Sequence, residues 1–72
     1  MNEGIGGAWR EAEAALPEGW LLGLVSRGGQ YVAEAWEDDE AYASGDATYD
    51  VYADTPAGAL HALADKLGEA MG

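Results

Sequence analysis

The sequence predicts an α+β domain in the order α-β-β-β-α: a three-stranded antiparallel meander with two helices packed on one face. Three observations lead there. Apolar residues recur at helical spacing near the N-terminus, with Ile5, Trp9, Ala12 and Leu16 separated by four, three and four positions. Three short runs of alternating or apolar character follow, each bounded by turn residues. Asp54, Thr55 and Pro56 then open a second helical stripe of Leu60, Leu63, Ala64, Leu67 and Met71.

The chain has 72 residues, which allows one domain and places any function on a single surface. Residues 1–7 carry three glycines and are expected to be a flexible lead-in, with 8–72 forming one compact domain. The first helix stops at Leu16, because Pro17 disfavours helical geometry in the residue before it. Trp20 to Val25 reads as the first strand, with Trp20, Leu22 and Leu24 on one face and Leu21 and Val25 on the other. The alternation leaves open which set looks inward.

Gly28 and Gly29 supply the positive φ angles of a tight hairpin, and the second strand runs from Gln30 to about Glu37. Its alternation separates Tyr31, Ala33 and Ala35 from Val32, Glu34 and Trp36. A carboxylate is rarely buried without a partner, so the face with Glu34 is expected to be open and the alanine face covered by helices. Asp38 to Asp46 is polar, contains Ser44 and Gly45, and reads as a loop. The third strand, about Ala47 to Ala53, puts Tyr49, Val51 and Ala53 inward and Thr48, Asp50 and Tyr52 on the open side. Thr55 is the expected N-cap of the last helix, with Pro56 at the first helical position.

Charge is the dominant feature of composition. Fourteen acidic residues against three basic ones give a net charge of -11, and no cation occurs between Arg27 and Lys66. That balance argues against direct contact with nucleic acid or anionic lipid, both of which need Lys and Arg, and favours a basic protein as partner. No apolar run reaches the roughly 18 residues of a membrane span. The opening residues lack a signal-peptide pattern, and there is no cysteine, so the expected location is the cytoplasm.

No catalytic site is expected. His61, the single imidazole, falls at the edge of the apolar stripe and reads as a surface or boundary residue. Asp38, Asp39, Glu40 and Asp46 do not follow calcium-loop spacing, so neither a metal nor a cofactor is predicted. The candidate partner-binding set is Glu34, Trp36, Glu37, Asp38, Asp39, Glu40, Asp46, Asp50, Tyr52 and Asp54, an apolar centre with an acidic border. Trp9, Tyr31 and Tyr49 are assigned to the core.

The strand Tyr31-Val32-Ala33-Glu34, the acidic loop, and Asp54-Thr55-Pro56 followed by Ala57-Gly58-Ala59-Leu60 resemble the small phage-derived domains called ABA-sandwich domains. More loosely they resemble the antitoxin half of HicA and HicB pairs. The resemblance implies the same α-β-β-β-α fold and a small phage accessory protein aimed at a host defence system, such as an anti-CRISPR inhibitor that mimics nucleic acid. Two alternatives stay open: a HicB-like antitoxin that neutralises a small basic toxin, and a homodimer formed through the open sheet face or the edge of the third strand.

Overall fold

The computed structural model describes residues 4–71. The elements run α1 (Gly4–Ala15), β1 (Leu21–Arg27), β2 (Gln30–Trp36), α2 (Asp39–Ser44), β3 (Tyr49–Ala53) and α3 (Pro56–Met71). The three strands form one antiparallel sheet in the order β1-β2-β3, with α1 and α3 on one face, as the alternation predicts. Of the 1–7 segment expected to be loose, residues 1–3 lie outside the described residues, while Gly4 to Gly7 form the first turn of α1.

Register explains why the core is built as it is. Ala33 pairs with Leu24 on one side and Val51 on the other, and Ala35 pairs with Leu22 and Tyr49. The central strand therefore presents methyl groups between larger neighbours, and the shallow trough between them admits Leu60, Leu63 and Leu67 of α3, all fully buried. Trp20 and Tyr49, from either side of the short Ala35 side chain, stack with centroids 6.0 Å apart and planes 16° from parallel. The first strand thus turns Trp20, Leu22 and Leu24 towards the helices and leaves Leu21 and Val25 on the other face.

Helix α1 packs on α3 through Ala8 and Ala12, both buried. Ile5, expected on the inward stripe, is half exposed, because the close contact is made one turn further along by small side chains. Thr55 caps α3, its Oγ1 accepting from the Gly58 amide at 3.0 Å and its carbonyl from Ala59 at 3.0 Å. The hairpin turn uses Gly28 and Gly29 at φ 58° and 86°, the pair of positive angles that a two-residue turn matching strand twist requires.

Two further expectations change. Asp38 to Asp46 is not a plain loop: it contains α2, six residues long, with both ends capped. The face opposite α1 and α3 is also less open than its carboxylates imply. Val32 is fully buried and Trp36 only 8% exposed, although both point away from α1 and α3. Val32 is enclosed because it pairs with Val25 on one side and Tyr52 on the other. Trp36 is enclosed from below and above, as described next.

Candidate interaction surface

Trp36 ends β2, and its indole lies across β1 at Gly23. A methyl group at Gly23 would sit 2.8 Å from both Cη2 and Cζ3 of the ring, so the bare backbone of Gly23 is the floor on which the ring rests. From above, Tyr42 of α2 meets the indole edge-on, with centroids 4.9 Å apart and planes 87° from parallel. The favourable edge-to-face contact explains why α2 folds back over the sheet. Tyr42 itself stays 58% exposed, so it acts as a cover with its outer side in solvent.

Helix α2 is held by its ends. Asp38, in extended geometry, accepts the Ala41 amide on Oδ1 at 2.8 Å, and Asp39 and Glu40 occupy the first turn, where the helix dipole favours negative charge. Gly45, at φ 85°, closes the other end by donating its amide to the Tyr42 carbonyl at 3.1 Å. Beyond the helix, Thr48 donates its amide to the Ala35 carbonyl at 2.8 Å, and its Oγ1 accepts from the Glu37 amide at 3.2 Å. The excursion from β2 to β3 is therefore clamped at its base by Thr48.

The predicted site residues separate into three groups. Glu34 and Asp50 are directly paired across β2 and β3 at the middle of the face, with Gly23 on the far side of Glu34. Like charges so placed repel, and no ion pair with Lys or Arg relieves them among the described residues. Tyr52, half exposed, lies on the same face two positions further along β3. The second group, Glu37, Asp38 and Glu40, lines a shallow open depression of about 280 Å³ with Ala41 and Ser44. Asp39 and Asp46, which do not line it, are next in sequence to Asp38 and Gly45 and are both exposed.

Asp54 stands apart. It follows Ala53, which pairs with Tyr31 at the hairpin end of the sheet, whereas α2 leaves from the opposite end. Asp54 therefore does not join the acidic group around α2. Trp36 belongs to the face but is not available at its surface, because α2 covers it.

Tyr42 is a residue of this surface that lies outside the set expected from sequence. Its signal was present: Asp38 three residues before Ala41, two acidic residues in the next positions, and Gly45 at the far end are helix start and stop marks. A helix of six residues is too short for apolar periodicity to announce it.

The three basic residues lie elsewhere. Arg10 is on α1 and Lys66 on α3, on the other side of the sheet. Arg27 pairs with Gln30 at the hairpin end, four positions along β1 from Gly23, which is roughly 13 Å by strand rise. His61 is half exposed on α3, and its Nδ1 meets Oε1 of Glu11 on α1 at 2.6 Å, which occupies it in a helix-to-helix contact. Among the described residues no group of three or more His, Asp and Glu side chains could hold a metal ion. No helix of the described residues is long and apolar enough to cross a membrane.

Comparison with protein-family models, with curated proteins and with solved structures finds no match to this chain.

Proposed function

We propose that the protein is a binding protein whose acidic sheet face and α2 occupy a basic, nucleic-acid-binding surface on a partner protein. The observation that carries this reading is the Glu34 and Asp50 pair, set side by side at the centre of the face not covered by α1 and α3. Adjacent strands hold such side chains about 5 Å apart, and alternate positions along a strand repeat at roughly 7 Å. Adding Asp38, Asp39 and Glu40 at the start of α2 gives a dense negative array, and a set of Lys and Arg residues that reads a phosphate backbone is its natural complement.

Exposed Tyr52 and Tyr42 supply aromatic contact area within that array, which is how partner surfaces combine an apolar centre with a polar rim. The likeness to small phage domains gives the reading its most concrete form, an inhibitor of a nucleic-acid-binding defence effector. A small basic toxin as target differs in identity and not in physics. A second copy of the chain fits this face less well, since bringing two bodies of charge -11 together through their most acidic surfaces is opposed by repulsion.

The test is capture of partners from a bacterial lysate on the immobilised protein, with release by salt and by added duplex nucleic acid measured separately. The reading expects a basic partner that both agents release, because screening lengths fall to about 10 Å at 0.1 M salt and nucleic acid competes for the same Lys and Arg groups. Changing Asp38, Asp39 and Glu40 together to Asn, Asn and Gln should abolish capture without loss of folding. Partners that nucleic acid does not displace would overturn it.

A further inference from the structure

The indole N–H of Trp36 is buried, and it has no hydrogen-bond partner among the described residues. A buried donor without a partner is a cost that native structures rarely carry, and here it belongs to the ring that Tyr42 of the short helix α2 meets. Helix α2 is six residues long, none of them buried, and it touches the sheet chiefly through Tyr42 on Trp36. Its other bonds are internal: the Asp38 cap, the Gly45 closure, and Ser44 Oγ donating to the Ala41 carbonyl at 3.0 Å. The clamp of Thr48 on Glu37 lies at the base, outside the helix, so α2 can swing without breaking the β2 and β3 ladder.

We propose that α2 is a hinged cover which opens over Trp36 while the sheet, α1 and α3 remain folded. The hinge points are the bonds around Asp38, in extended geometry, and Gly45, whose positive φ no other residue type adopts as readily. Closed, the cover gains the edge-to-face contact and loses hydration of the indole N–H. Open, it returns that donor to solvent and presents the ring, resting on Gly23, next to Glu34. This opening is a property of the isolated chain and stands apart from what the acidic face binds.

Hydrogen exchange followed by NMR on the intact chain tests it. The Trp36 indole N–H is expected to exchange at least about a hundredfold faster than the amides of Ala33 and Leu63 in the core. Asp38→Ala, which removes the cap and loosens the helix that covers the ring, should speed the indole about fivefold and leave the two core amides unchanged. Tyr42→Ala, which leaves the cap intact, should also speed the Trp36 indole alone. Exchange of the Trp36 indole at the rate of Ala33 and Leu63, or an equal acceleration of the indole and the core amides in either variant, would mean that Trp36 is released only by global unfolding and would overturn the proposal.

Discussion

The two faces of the sheet bury side chains by different means. On the face under α1 and α3, alanines in β2 make a trough, and three leucines of one long helix fill it, each contact backed by others. On the opposite face Val32 is enclosed by its strand neighbours, and one large buried ring, Trp36, lies over one glycine and under one tyrosine, with Glu34 and Asp50 on the same face. The first arrangement is redundant and apolar, and should carry most of the stability. The second is specific, thinly supported and charged, and is the one available for recognition. On the proposed function, stability and recognition fall on opposite sides of a sheet three strands wide.

The difference should appear first in truncations. Leu63→Ala removes a fully buried side chain from the trough and is expected to cost about 2–5 kcal/mol of unfolding free energy, measured by urea denaturation. In a domain this small that is enough to leave much of the population unfolded. A loss below about 1 kcal/mol would mean that the helix face is not where stability resides.

Gly23→Ala probes the other face. The added methyl would meet the indole at 2.8 Å, so the ring must shift, and the expected cost is about 1–3 kcal/mol. The cost should fall when Trp36→Leu is made in the same chain, since the clashing ring atoms are then gone. Equal cost in both backgrounds would show that Gly23 is needed for its backbone and not for the space it leaves.

How far the sequence carried this comparison depends on how many residues state each feature. The helix face was legible because alternation in β2 and β3 and the stripe of α3 all give the same orientation, and Thr55 with Pro56 marks where α3 begins. The acidic face was legible through Glu34 and Asp50, whose positions the register then made opposite. The burial of Trp36 was not, because it depends on Gly23, thirteen positions earlier in sequence, and on Tyr42 in a helix too short to show a period. The orientation of β1, apolar on both faces, could be settled only by its pairing with β2.

A gentler substitution separates charge from packing on the acidic face. Glu34→Gln keeps the shape of the side chain and removes one of two like charges in direct register, so stability should rise by about 0.2–1 kcal/mol. Binding to a basic partner should weaken in the same variant. A simultaneous gain in stability and loss of binding would identify Glu34 as a residue kept for recognition at the expense of the fold. A loss of stability would instead place a compensating partner beside it.

The smallest effect belongs to the ion pair between α3 and α1. His61 and Glu11 join α3 to α1 at 2.6 Å, but both side chains are about half exposed, so water and salt screen the attraction. A double-mutant cycle with His61→Ala and Glu11→Ala is expected to give a coupling of no more than about 0.5 kcal/mol. The two helices are already held by Ala8 and Ala12 against α3, contacts that lie deeper and do not depend on protonation. A coupling above about 2 kcal/mol would reverse that ranking, because it would make a surface charge contact, and not apolar burial, the tie between α1 and α3.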